Sequence, residues 1–145
     1  FGSPKDNVFE AIERLKILSD EPILISSLVE SKPLDCPPGS PDFINAVVAF
    51  IPRHNETSLY LLHELQHVEN SMGRIRSGLK NEARLIDLDL LIFKEESHKS
   101  EELVLPHPEI LNRDFVLKPL QELLGEDEYK SLITFIKKTP PKRRS

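Results

Sequence analysis

Two aspartates two residues apart, Asp87 and Asp89, stand in the apolar run Arg84-Leu85-Ile86-Asp87-Leu88-Asp89-Leu90-Leu91-Ile92-Phe93. The run has no Gly or Pro and is bounded by polar loops, so it reads as a β-strand. On a strand Ile86, Leu88, Leu90 and Ile92 share one face, and Asp87, Asp89, Leu91 and Phe93 share the other. Carboxylates beside core residues are costly without a cation or a partner. Their Cα atoms would lie about 7 Å apart at ~3.3 Å per residue. From there the carboxylates can lean together and bridge metal ions ~3.5–4 Å apart, the arrangement of two-metal phosphoryl transfer. Their oxygens are hard ligands, which suits Mg²⁺. The other reading is that both acids face solvent at a strand end, and spacing alone leaves the two readings open.

The stretch before this strand carries Arg74, Arg76, Lys80 and Arg84. Arginine forks bind phosphate oxygens bidentately and lysine acts as a point charge. A basic loop beside paired aspartates is what phosphoryl transfer needs, because cations offset the charge that develops in transfer. A solvated loop balancing nearby acids is the plainer account; together with the aspartates, the functional one is preferred.

The elements that must position these groups can be read along the chain. At 145 residues, with 39% hydrophobic and 30% charged residues, the chain is one domain with room for a core. A net charge of −5 argues against a general nucleic-acid binder. One cysteine, Cys36, excludes an internal disulfide and fits a reducing compartment. No apolar run approaches a membrane span, and no signal-peptide pattern is present. The reading is therefore cytoplasmic, or an organelle if the chain is part of a fused eukaryotic enzyme.

Ser3-Pro4-Lys5-Asp6 is a helix start, and the spacing of Val8, Phe9, Ile12, Leu15 and Leu18 predicts a helix over 4–18. Strands are expected over 23–29 and 43–51, joined by a Pro-rich loop over 30–42. Asn45 shares a strand face with Phe43 and Val47, so its amide either ties the adjacent loop or reads a ligand. Thr57 or Ser58 caps a second helix with the stripe Leu59, Leu62, Leu65, Val68 and Met72, stopped by Gly73. Glu69 lies near its end, an unhelpful place for a carboxylate in the helix dipole, and reads as a solvated surface acid. Residues 94–102 read as an exposed loop. His107 between Pro106 and Pro108 has a stiff backbone and, alone, reads as a hydrogen-bonded structural histidine. A short helical turn over 109–112, an extended Phe115-Val116-Leu117, a short helix from Pro119 and a last helix over 127–137 follow, with Tyr129, Leu132, Ile133 and Ile136 inward. Residues 138–145 read as a basic disordered tail. The order α, β, β, α, β becomes the ferredoxin-like β-α-β-β-α-β if one strand precedes residue 1.

Arg84-x-x-Asp87-Leu88-Asp89-Leu90-Leu91-x-Phe93, then Leu105-Pro106-His107-Pro108, then Arg113-x-Phe115-Val116-Leu117-x-Pro119-Leu120, resembles the 6-hydroxymethyl-7,8-dihydropterin pyrophosphokinase family. Glu69-x-x-x-Gly73-Arg74-x-Arg76 is similar to that family's helix end and catalytic loop. Ser26-Ser27-Leu28 with Ser31-Lys32-Pro33-Leu34, and Pro41-Asp42-Phe43-Ile44-Asn45-Ala46, are similar to its pterin side. The resemblance covers residues 1 to about 124 and rests on the combined spacing.

It implies an α+β domain over 1–137, with a ferredoxin-like antiparallel sheet and a C-terminal extension, that moves pyrophosphate from ATP to the pterin hydroxymethyl group in folate synthesis and releases AMP. It implies that Asp87 and Asp89 hold two Mg²⁺ ions on the ATP phosphates, and that Arg74 and Arg84 assist transfer. Glu69, Arg84, Leu90, His107 and Arg113 would line the nucleotide site, and Ser31, Pro33, Leu34, Phe43, Asn45 and Phe115 the pterin pocket. The implied partners are ATP, the pterin and a fused or adjacent folate-pathway domain, with no nucleic acid and no membrane.

Departures from the family pattern stand at Asn81-Glu82-Ala83 in place of Trp-Gly-Pro, at Asp35 in place of glycine, at Pro4 in place of asparagine and at Glu102 in place of a basic residue. An altered closure over substrate is expected from the first. In the family the first strand is central in the sheet and would precede Gly2; here only Phe1 stands for it, so the expectation is that upstream residues or another segment fill the gap. Two rival readings are a non-catalytic or weakened nucleotide-binding module of the same fold, and an unrelated α+β interaction domain with a decorative aspartate pair.

Overall fold

The computed structural model describes residues 3–31, 38, 43–73 and 86–139. Ser3 opens the first helix, α1 (Pro4–Leu15): its hydroxyl accepts the Asp6 N–H at 3.2 Å, and Pro4 takes the first helical position. A 3-10 turn over Lys16–Leu18 completes the expected span. Val8, Ile12, Leu15 and Leu18 are buried as read, but Phe9 is 50% exposed. Val8, Ala11, Ile12 and Leu15 make the helical face, one residue round from Phe9.

The strand pair that follows is discontinuous. β1 (Leu24–Ile25) and β2 (Val29–Ser31) run against β4 (Val48–Ala49) and β3 (Phe43–Asn45), where unbroken strands over 23–29 and 43–51 were expected. Leu24 faces Ala49 and Val29 faces Asn45, so the three residues Ser26–Leu28 oppose only Ala46 and Val47. That excess residue is a β-bulge, which breaks the ladder and re-aims the strand beyond it. Buried Ser26 stitches it: the Val47 N–H donates to Ser26 Oγ at 2.9 Å, and the Ser26 N–H donates to the Val47 carbonyl at 3.0 Å.

Thr57 caps α2 (Ser58–Ser71), its Oγ1 accepting the Tyr60 N–H at 3.2 Å, and Gly73 stops it at φ 99°. Leu61 joins Leu62, Leu65, Val68 and Met72 in the core, while Leu59 is only half-buried. A hairpin whose first strand falls inside the loop expected over 94–102 pairs β5 (His98–Lys99) with β6 (Val104–Leu105). Leu105 is wholly buried, so its apolar side chain anchors the hairpin where the polar neighbours gave no strand signal. Phe115–Leu117 is likewise helical rather than extended, inside α3 (Asp114–Leu123). Pro119 cannot donate to the carbonyl four residues back, yet it is fully buried; packing outweighs local preference here. The last helix, α4 (Glu126–Lys138), has acids in its first turn and lysines in its last, matching the helix dipole. Tyr129, Leu132 and Ile136 pack inward as read, and Ile133 is half-buried.

Residues 86–93 lie between two apolar layers. Ile86, Leu88 and Leu90 meet the clusters built on α1 and α2, and Leu91 meets the cluster built on α3 and α4. The expected alternation therefore holds from Ile86 to Leu91. It then inverts: Ile92 joins the α3/α4 side and Phe93 the α1/α2 side. The cause is the turn that follows, where Lys94 has φ 52° and the Glu96 N–H donates back to the Phe93 carbonyl. Among the described residues the segment carries no strand ladder, against expectation; its backbone bond to the hairpin is the His107 N–H donating to the Leu91 carbonyl at 2.8 Å.

A cleft of about 340 Å³ explains the missing ladder. Residues 46–50 and Pro52 line it on one side, and 87–94 on the other. Val47 turns its N–H and carbonyl toward Ser26, and Ile51 turns its carbonyl toward Asp20. By strand alternation Ala46, Val48 and Phe50 turn theirs toward the cleft. Leu91 faces His107, so Leu90 and Ile92 turn theirs to the cleft from the opposite side. Among the described residues no backbone hydrogen bond joins the two edges. Among the described residues no helix is long and apolar enough to cross a membrane.

Candidate active site

Asp87 and Asp89 are both exposed, while Leu88 between them is half-buried against the α1/α2 clusters. The core thus takes one side of the backbone and leaves the acids on the other, as alternation requires. The plain account, a solvent-facing pair, agrees with their exposure; what gives them a site is their neighbours.

His107 follows the β5–β6 hairpin after a cis Leu105–Pro106 peptide. Its Nδ1 accepts the Glu109 N–H at 3.1 Å, which leaves the ring proton on Nε2. Burial first, and then the Arg113 guanidinium, hold its pKa below the ordinary histidine value, while the Asp89 and Glu109 carboxylates push it back up. The imidazole is therefore set as a neutral hydrogen-bonding group within the field of Asp89 and Arg113.

Arg113 precedes α3, and its guanidinium carbon lies 5.6 Å from the centre of the Phe115 ring, in cation–π range. Phe115 itself packs on the α3/α4 cluster. One short stretch therefore links the acidic and imidazole groups to an aromatic ring. α3 also abuts β2, whose Ser31 faces Phe43 across the ladder and whose hydroxyl accepts the Asn45 amide N–H at 3.0 Å. Asn45 thus ties the hairpin, the blander of its two expected roles, with its amide oxygen still able to accept. Phe43 is 54% exposed, an apolar ring presented to solvent beside this amide.

Glu69 departs from its reading as a surface acid: it is 8% exposed, and its Oε2 accepts the Leu88 N–H at 2.8 Å. Leu90 lies half-buried against the α1/α2 cluster and lines the cleft, so packing accounts for it before any ligand does. Arg74, Arg84, Pro33 and Leu34 lie outside the described residues, as do Arg76, Lys80, Asp35 and Asn81-Glu82-Ala83.

One residue that sequence reasoning passed over is Glu122 on α3. Its Oε1 accepts both the Ser27 N–H at 2.9 Å and the Ser27 hydroxyl at 2.8 Å, which satisfies the backbone group freed by the bulge. The contact spans 95 positions, and no local pattern announces it.

Among the described residues no three His, Cys, Asp or Glu side chains gather as a metal cluster. The donor chemistry of Asp87 and Asp89 nonetheless fits a hard divalent cation, being accessible carboxylate oxygens on one side of a held segment. Fold and site together define a small α+β protein with an accessible acidic pair beside a neutral imidazole, a guanidinium and an aromatic ring. The chain belongs to the 7,8-dihydro-6-hydroxymethylpterin-pyrophosphokinase (HPPK) family, whose model matches residues 1–125.

It is 37% identical over 127 residues to the 2-amino-4-hydroxy-6-hydroxymethyldihydropteridine pyrophosphokinase of Haemophilus influenzae, covering 86% of this chain and 76% of that protein. It is 38% identical over 122 residues to the folic acid synthesis protein fol1 of Pneumocystis carinii, covering 82% of this chain. With the folate synthesis bifunctional protein of Arabidopsis thaliana it shares 32% identity over 127 residues, 88% of this chain. The chain spans 16% of the fungal relative's length and 26% of the plant relative's.

Proposed function

We infer that this chain is a pyrophosphokinase domain of folate synthesis, moving the β,γ-pyrophosphoryl group of ATP to 6-hydroxymethyl-7,8-dihydropterin. The single observation that carries the reading is the family match over residues 1–125, which spans the acidic pair and the His107–Arg113–Phe115 stretch beside it.

Asp87 and Asp89 would hold two Mg²⁺ ions, which, when bound, neutralise phosphate charge and polarise the β-phosphorus. His107 offers its Nε2 proton to a phosphate oxygen, and Arg113 adds a fixed positive charge. Phe115 and Phe43 supply aromatic faces for a flat heterocycle, and the Asn45 amide and Ser31 hydroxyl supply edge contacts. By the family resemblance Pro33 and Leu34 would belong to that pocket, and Leu90 would back the nucleotide side. By the same resemblance Arg74 and Arg84 would contact the phosphates and assist transfer. The hydroxymethyl oxygen attacks the β-phosphorus in line, the bond from that phosphorus to the oxygen bridging the α-phosphate breaks, and AMP leaves with that oxygen. The hydroxyl proton goes to solvent. The barrier falls through positioning and charge complementarity.

The finer fold proposed is ferredoxin-like, with a strand seated in the cleft between 46–50 and 86–93. Both edges turn backbone groups into that cleft, which supports this order. The compartment proposed is the cytoplasm, or an organelle within a fused enzyme, and the domain proposed runs over 1–137 with 138–145 as a tail. The fused relatives support an adjacent folate-pathway domain as partner.

The test is incubation with Mg²⁺, ATP and the pterin, followed by separation of nucleotides. Pterin-dependent AMP formation is expected in equal amount to pterin diphosphate; ADP, or no AMP above the pterin-free control, would defeat the reading.

A further inference from the structure

We propose that Glu69 is a positioning residue for Asp87 and Asp89, acting on the backbone between them rather than on the nucleotide; this rests on the metal-holding role inferred for that pair. The resemblance placed Glu69 in the nucleotide site. The geometry gives its carboxylate a backbone partner: it is buried at the C-terminal end of α2 and accepts the Leu88 N–H at 2.8 Å.

Two physical facts give that bond its consequence. A buried carboxylate at a helix C-terminus is opposed both by desolvation and by the helix dipole, so it persists there only with strong hydrogen-bond compensation. Among the described residues the segment it grips also lacks a ladder: its backbone bond to the hairpin is at Leu91, two residues past Asp89. The Leu88 side chain is fixed by the clusters on α1 and α2, and the Leu88 N–H is fixed by Glu69. The amide bond holds the peptide plane between Asp87 and Leu88, and the packed side chain holds the Leu88 Cα from which the next plane leaves. The first plane carries Asp87 directly, and the second carries Asp89 from the fixed Leu88 Cα. Glu69 thereby sets the angle at which the two carboxylates leave the backbone, the property that a shared cation site needs.

The acceptor oxygen is the part that matters, so Glu69→Gln retains function and Glu69→Ala loses it. Glu69→Met removes the acceptor while filling the space, which guards against a variant lost to a cavity. Three readouts are used on the whole chain. Amide exchange of Leu88 without metal is expected to stay slow in wild type and Glu69→Gln, and to quicken about tenfold or more in Glu69→Ala and Glu69→Met. Mn²⁺ titration with a non-hydrolysable ATP analogue, followed by water proton relaxation, is expected to weaken about tenfold in the same two variants only. The Mg²⁺ concentration for half-maximal transfer is expected to rise in parallel, with the pterin KM unchanged.

If Glu69→Gln is as impaired as Glu69→Ala, with a raised ATP KM and an unaltered Leu88 amide, Glu69 touches the nucleotide and the proposal is overturned. It is equally overturned if Glu69→Ala merely melts earlier while Mn²⁺ binding holds. A wild type that binds Mn²⁺–nucleotide with the expected variant pattern but transfers nothing would sink the functional reading and leave the positioning role standing.

Discussion

Replacing Glu122 with alanine tests whether the bulge on the first strand aims the proposed pterin pocket. One carboxylate oxygen of Glu122 holds both the N–H and the hydroxyl of Ser27, at 2.9 and 2.8 Å. Both groups are exposed, so water takes over part of the loss, and each bond is worth about 0.5–1.5 kcal/mol net rather than the larger value of a buried charged pair. The two together give about 1–3 kcal/mol, the lower half being expected for exposed groups. Beyond the bulge, β2 and β3 carry Ser31, Phe43 and Asn45, while α3 carries both Glu122 and Phe115. The clamp therefore fixes the two walls of the pocket to each other. If about 1 kcal/mol of it is expressed in ligand binding, the dissociation constant for the pterin rises about fivefold. Affinity for the ATP analogue stays within twofold of wild type (~0.4 kcal/mol or less), because Asp87, Asp89 and His107 are held by other contacts. Calorimetric titration of each ligand, with Mg²⁺ present, reads both numbers. Urea denaturation on the same samples separates a loss of stability from a loss of aim. Glu122→Gln, which keeps an acceptor oxygen, falls between wild type and alanine. A variant whose pterin affinity is unchanged, or whose two affinities fall together, refutes the idea that this contact orients the hairpin.

Asp89→Asn is expected to cut pyrophosphoryl transfer by at least ~100-fold, since a cation ligand is lost from the reacting phosphates; near-normal product formation by chromatography would contradict the metal-holding role. His107 is expected to titrate below the ordinary histidine range near 6.5 by NMR, lower still in Asp89→Asn and higher in Arg113→Gln. Because its folded pKa is depressed, the unfolded chain holds more protons between the folded and unfolded values. Stability is therefore complete above about pH 6.5 and declines as pH falls toward the folded value, and urea midpoints at pH 5 and 7.5 that coincide would argue against a buried neutral ring. Leu105→Ala, at a wholly buried core position, is expected to cost about 3–5 kcal/mol, seen as a lower urea midpoint with the slope unchanged; a loss under ~1 kcal/mol would mean the hairpin is not part of the main core.

The acidic pair on one side of the segment and Leu88 on the other were legible in the chain because alternation on an extended segment is a local rule. The helices over 4–18 and from residue 58 were legible for the same reason: caps and apolar spacing act within a few residues. Where the reading failed, the deciding contacts were distant. Phe115–Leu117 is helical because Val116 and Leu120 bury together against α4 and Val47. Residues 98–105 form a hairpin because Leu103 and Leu105 reach a core built mostly on α1 and α2.

What the residue order determined by itself is the inventory: two carboxylates at strand spacing, an imidazole between prolines, an arginine two places before an aromatic ring, and a family pattern joining them. Periodicity and stereochemistry suffice for that, since each feature is set by near neighbours along the backbone. What tertiary structure decided is which of them meet and what holds them. The bulge clamped from α3, the carboxylate buried beneath Leu88 and the cleft between two sheet edges arise from contacts tens of residues apart, whose energy depends on packing that no local pattern encodes.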